Sequence, residues 1–233
     1  MTLDGRDRER LGEELDRLRR FIGSTQAIQA APACPYPGMV PFTSADETRF
    51  FGRAPEVATI TARLEAGASL IVVIGPSGCG KSSLLSAGVL PRLRASGWPV
   101  LEMRASAAAT FDLDEAAARA PTGQRVLLMI DQFEEVFTWL AENRDEASPI
   151  ASPAGLVENL FVAIGKARTD ARCAVVLALR ADFFGDLMGA PLWPVIPEQR
   201  VEIGSLAGDR LREAIRLPAN LTTGGTALRR FYR

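Results

Sequence analysis

One stretch limits the fold more than any other. Ser69–Ile74 is an unbroken apolar run of strand length, followed at once by Gly75-Pro-Ser-Gly-Cys-Gly-Lys81-Ser82 and then by a helical pattern from Lys81 to Ala95. The eight residues fit GxxxxGK[ST] at every fixed position, and in a chain of this composition a chance match has odds on the order of one in 600. Glycines in such a loop let successive backbone N–H groups turn inward and cradle phosphate at the positive end of the next helix. A strand, a tight loop and a helix in this order are the start of an α/β fold.

The rest of the chain alternates in the same way. Helical patterns cover Pro55–Ala66, Asp112–Ala120, Phe133–Arg144, Pro153–Thr169 and Asp209–Leu217, the last with Asp209 placed to cap it. Strands are expected at Pro99–Arg104, Arg125–Asp131, Arg172–Arg180 and, more weakly, Arg200–Ile203. Three of the strands are continuous apolar runs, the mark of a sheet covered by helices on both faces. The expectation is a three-layer sandwich around a mostly parallel sheet of about five strands. Upstream, Leu11, Leu15, Leu18 and Ile22 form one stripe of an amphipathic helix over 4–22, and a proline-rich linker follows over 23–41. That helix either docks on its own domain or binds a protein partner or a second copy. The chain thus divides into 1–34, a core over 35–220 and a tail over 221–233, read as a C-terminal extension cut short.

Composition excludes several chemistries. Histidine is absent, so there is no Ser-His-Asp or Cys-His nucleophile and no His-ligated zinc. Acidic and basic residues nearly balance at a net charge of −1, so no nucleic acid is expected as a partner through bulk charge. Cys34, Cys79 and Cys173 form no CxxC pair, and no apolar run is long enough for a membrane span. The reading is a cytoplasmic protein with reduced thiols. Only two of the 27 basic residues are lysines, and one of them is Lys81. A flexible point charge reaches phosphates there, where a planar guanidinium is a poor substitute.

The chemistry concentrates at three strand ends. Gly75, Pro76, Ser77, Gly78, Cys79, Gly80, Lys81, Ser82 and Ser83 form the phosphate loop, with Lys81 reaching the outer phosphates and the Ser82 hydroxyl ligating Mg²⁺. Cys79 fills a variable position, as a small filler or as a redox group. Asp131 ends an apolar strand and is the second Mg²⁺ ligand candidate. Gln132 follows it where many ATPases carry Glu, so Glu134 and Glu135 are the candidates to activate water, with Glu135 slightly preferred. Both also favour the N-terminus of a following helix. Arg180 ends the next apolar strand and either meets the terminal phosphate or pairs with Asp182 or Asp186. Asp182 is expected to cap the helix Phe183–Met188.

Taken together, PYPGMVPFTSADETRFFGR (35–53), GPSGCGKSSLLSAGVLPRL (75–93), RVLLMIDQFEEVFT (125–138), LALRADFFGDL (177–187) and LAGDRLREAIRLPAN (206–220) resemble the STAND class of signal-transduction NTPases, specifically the bacterial family novel STAND NTPase 1. The resemblance implies an AAA-like P-loop core that binds ATP or ADP with Mg²⁺ and switches between an ADP-bound resting state and an ATP-bound assembling state. It further implies that Phe51, Gly52 and Arg53 sit near the adenine, that Asp131 with Glu134 and Glu135 serves Mg²⁺ and hydrolysis, and that Arg180 senses the terminal phosphate. A slowly hydrolysing regulatory ATPase is the leading expectation. A non-catalytic nucleotide-binding or interaction module is the alternative, and a P-loop kinase or DNA-loading ATPase finds less support in these residues.

Overall fold

The computed structural model describes residues 34–38, 40–105, 124–142 and 153–223. The expected N-terminal helix, most of the linker, the short helix at Asp112–Ala120 and the tail from residue 224 lie outside them. Helix α1 (Ala54–Glu65) is followed by β1 (Leu70–Gly75), whose six residues are all buried. β2 (Val100–Arg104), β3 (Val126–Asp131), β4 (Cys173–Arg180) and β5 (Arg200–Glu202) complete a sheet in the order β2-β3-β4-β1-β5. Every pairing is parallel. All five strands therefore end at one edge, and β4 stands between the phosphate-loop strand β1 and the acidic strand β3. The expected α/β sandwich with a parallel five-stranded sheet is what the chain forms.

Parallel strands need crossovers that bury both faces, which explains the unbroken apolar runs in β1, β3 and β4. Side chains alternate between two cores. Leu70, Val72, Leu128, Ile130, Val175 and Leu177 face one layer with Ile164 and Phe133, while Ile71, Val73, Leu127, Met129, Ala174 and Val176 face the other with Ile60, Leu64 and Leu85. Truncating one of the fully buried leucines would cost about 2–5 kcal/mol. The first layer carries α5 (Pro153–Thr169) and α4 (Glu135–Glu142), and the second carries α1.

Local geometry departs from the sequence expectation at four places. The helical run after the phosphate loop is not uniform: α2 (Lys81–Ser83) passes through a π-helical turn, Leu84–Val89, into α3 (Leu90–Ala95). Pro91 has no N–H, and its ring would crowd the Ala87 carbonyl in a regular helix. The wider turn, in which the Leu90 N–H reaches the Leu85 carbonyl, relieves that crowding. The last helix, α7 (Gly208–Thr223), begins one residue before Asp209 and continues through Pro218, beyond the expected end at Leu217. Asp209 lies in its first turn, bonded to Arg212 at 2.7 Å. Burial of Pro218 and Ala219 offsets the lost helical hydrogen bond. Residues 221–223 accordingly belong to this helix and not to a tail. Finally, Asp182 caps no helix. It lies in the 3-10 turn Ala181–Phe183 ahead of α6 (Phe184–Met188), because Arg180 holds its carboxylate.

Candidate nucleotide-binding site

Between β1 and α2 the chain turns with Gly78 at φ 73° and Gly80 at φ 95°, left-handed conformations that side chains rarely adopt. A Cβ at Gly75 would lie 2.4 Å from the Ile203 carbonyl and 2.7 Å from Cys79 Sγ, so close packing also demands the glycine there. Pro76, Ser77 and Gly78 form an exposed crown, whereas Lys81 is buried at the root of the loop. Its Nζ donates to the Gly75 and Pro76 carbonyls, each at 2.9 Å. The ammonium is thus held beneath the mouth of the loop at the head of a helical run.

On the β5 side, the loop borders a cavity of about 260 Å³. Phe42, Phe50, Phe51, Leu206, Leu211 and Ala214 supply its apolar wall, and Arg49, Arg53, Gly78, Cys79, Gly80, Ser83 and Ser205 complete it. Phe42 and Phe50 meet edge to face with centroids 5.8 Å apart, and the Phe42 N–H donates to Ser83 Oγ at 3.1 Å. Phe51 and Arg53 thus line the same cavity as Gly78, Cys79 and Gly80 of the phosphate loop. Gly52 is left-handed at φ 84°, and a Cβ there would lie 2.5 Å from the Arg210 carbonyl of α7.

Arg53 is 4 % exposed and ties the parts together. Its Nη2 donates to the Cys79 carbonyl at 2.7 Å and to the Gly204 carbonyl at 2.6 Å, and its Nη1 meets Glu56 Oε1 at 3.2 Å. The same Glu56 oxygen receives Arg210 at 2.8 Å. Sequence reasoning missed Phe42, Phe50, Glu56, Leu206, Arg210, Leu211 and Ala214. Only the aromatic pair beside Gly52 carried a local signal. The residues from 204 to 214 reach the site through contacts some 150 residues apart.

The acidic strand end lies outside this cavity lining, on the opposite side of β1. Asp131 Oδ1 accepts the Gln132 N–H at 2.9 Å, and Gln132 is left-handed at φ 55°. Glu134 Oε2 accepts the Arg180 N–H at 3.2 Å, which fixes that carboxylate at the end of β4. Glu135 instead opens α4, where its charge favours the helix N-terminus. Glu134 thus reaches from the start of that helix across to the end of β4. Arg180 lies in register with Gly75. Its guanidinium pairs with Asp182 (Nε–Oδ1 3.1 Å, Nη2–Oδ2 2.6 Å) and lies 5.3 Å from the Phe183 ring centre. The hydrogen bond from Arg180 holds the Asp182 carboxyl below its ordinary range. The pairing that sequence left as the ordinary reading is the one this structure adopts.

The residues fit a nucleotide. A loop with two left-handed glycines and a buried ammonium suits phosphate, and the adjoining apolar cavity suits a flat heterocycle. No group of three or more His, Cys, Asp or Glu that could hold a metal ion occurs among the described residues. Cys79 and Cys173 are buried, Cys34 is exposed and none of the three forms a disulfide. No helix among the described residues is long and apolar enough to cross a membrane.

The sequence profile of the family Novel STAND NTPase 1 matches residues 35–227. No curated protein matches. Among solved structures, a chain of the E. coli MS115-1 HORMA:CdnC:Trip13 complex aligns at 15% identity and a TM-score of 0.40, over 72% of this chain and 67% of that one. AMPPCP-bound DnaA from Aquifex aeolicus aligns at 16% identity and a TM-score of 0.45, over 72% of this chain and 50% of DnaA. The chain therefore spans half the length of that DnaA chain.

Proposed function

The chain belongs to the novel STAND NTPase 1 family, nucleotide-binding NTPases, and on that premise we propose that it is an ATP-binding, slowly hydrolysing regulatory core. One observation carries the reading: a buried Lys81 beneath a loop of left-handed glycines, opening beside an aromatic-lined cavity. In this reading the backbone N–H groups of 78–82 and Lys81 hold the phosphates, and the purine lies against Phe42, Phe50 and Phe51. Ser82 and Asp131 would hold Mg²⁺, which screens the charge that builds up on the phosphate oxygens. Glu134 accepts the proton of the attacking water. Its support is the bond from the Arg180 N–H, which keeps the carboxylate at the edge where β1, β3 and β4 end. Arg180 exchanges Asp182 for the terminal phosphate, a trade between two anions that suits a switch between ADP-bound and ATP-bound forms.

Calorimetry with Mg²⁺ tests the reading directly. Lys81→Ala is expected to lose roughly tenfold to hundredfold in ATP and ADP affinity, the range for one charge-assisted hydrogen bond. Equal affinities in wild type and variant would overturn it.

A further inference from the structure

We propose that the side-chain amide of Gln132 holds the attacking water against the terminal phosphate of the bound nucleotide. This rests on the ATP-binding reading and assigns one more residue to that same site. Two independent observations meet at Gln132. It is the one non-glycine residue with positive φ among the described residues, at 55°, a conformation that costs a side-chain-bearing residue free energy. Its Oε1 is buried and has no hydrogen-bond partner among the described residues, whereas buried acceptors are nearly always paired. Glycine at this position would remove both costs at once. Two local rules broken at one residue, with no compensation among the described residues, mark a position kept for a ligand.

The surroundings leave only the side chain unassigned. The Gln132 N–H donates to Asp131 Oδ1, and its carbonyl accepts the Glu135 N–H at 2.9 Å. The next residue is locked to the neighbouring strand by the Phe133 N–H on the Ala178 carbonyl at 2.8 Å. Gln132 thus sits rigidly between the Mg²⁺-ligand candidate Asp131 and Glu134. An amide oxygen accepts one O–H and takes up no proton, so it orients water without activating it. The division of labour follows from that. The water oxygen bonds the terminal phosphorus as the bond from that phosphorus to its bridging oxygen breaks. The electron pair leaves with ADP, and the water's proton passes to the Glu134 carboxylate. Gln132 fixes the line of approach.

The test uses the whole chain with Mg²⁺ and two probes, ADP alone and ADP with aluminium fluoride, which mimics the phosphoryl group in flight together with its attacking water. Gln132→Gly should melt at or above the wild-type temperature and bind ADP within about twofold of wild type. Its affinity for the fluoride complex should fall about tenfold, the loss of one hydrogen bond to the water. A lower melting temperature would make the side chain structural and overturn the proposal. So would unchanged affinity for the fluoride complex, or a wild type that binds that complex no better than ADP. If Lys81→Ala binds ADP as wild type does, the ATP reading itself has failed. If only Gln132→Gly is silent while Lys81→Ala weakens binding, that reading stands and this assignment falls.

Discussion

β3 begins and ends on residues of opposite character. Just before it, Arg125 spends its donors on the carbonyls of Ala171, Leu64, Ala68 and Cys173 at 2.7–3.1 Å and lies 5.5 Å from the Trp98 ring centre. Just after it, Gln132 carries a left-handed backbone and a buried oxygen without a partner among the described residues. One end of the strand closes its hydrogen bonding, ties helix and strand ends together and stabilises the sheet. The other end leaves that one buried oxygen unpaired among the described residues, at the edge where ligands meet parallel strands. The difference teaches where to look on such a sheet: the edge with the satisfied cation is scaffold, and the edge with the unsatisfied amide is site.

The comparison can be broken at its scaffold end first. Arg125→Ala should cost about 2–3 kcal/mol, because it leaves partly buried carbonyls without their donor. Denaturant melts would measure this, with ADP affinity of the folded variant unchanged. A loss of affinity at preserved stability would erase the distinction between the edges. The next largest effect is expected at Gly52. Its left-handed φ and the 2.5 Å approach to the Arg210 carbonyl make Gly52→Ala destabilising by about 1–3 kcal/mol. Here affinity should fall as well, since the same turn carries Phe51 and Arg53 into the cavity wall. Unchanged nucleotide binding would show that this turn is scaffold too.

The smallest effect concerns the exposed Arg180–Asp182 pair. Arg180 depresses the Asp182 carboxyl, so the pair's contribution is present above the unfolded carboxyl value of about 3.9 and fades as pH falls through the lower folded value. Asp182→Asn should melt slightly below wild type at pH 7, and the gap should close in strong acid. A gap that persists there would mean that Asp182 acts through something other than its charge.

The sheet and the loop were legible because their signals are local. An unbroken apolar run followed by GxxxxGK needs no knowledge of distant residues, and Asp131 and Arg180 announce themselves by ending such runs. The order of the strands was not legible, since placing β4 between β1 and β3 depends on packing between segments some 100 residues apart. The cavity is non-local as well, with one wall from 42–51 and the other from 205–214. Asp182 shows a different limit. A capping residue before a helix is a sound expectation until a neighbouring guanidinium competes for the same oxygen. The π-helical turn needed Pro91 to be weighed against the Ala87 carbonyl four residues earlier, a steric clash that propensity alone does not express.

The oxygen shared by Arg53 and Arg210 has a mechanical consequence. Glu56 Oε1 is a pivot: one arm is the guanidinium that grips the Cys79 carbonyl inside the phosphate loop, and the other is the first turn of α7. Two ion pairs therefore link α7 to the backbone of the loop. Gly52, pressed against the Arg210 carbonyl, keeps the slack small. The last helix and the backbone of the phosphate loop are thus tied together at one carboxylate oxygen.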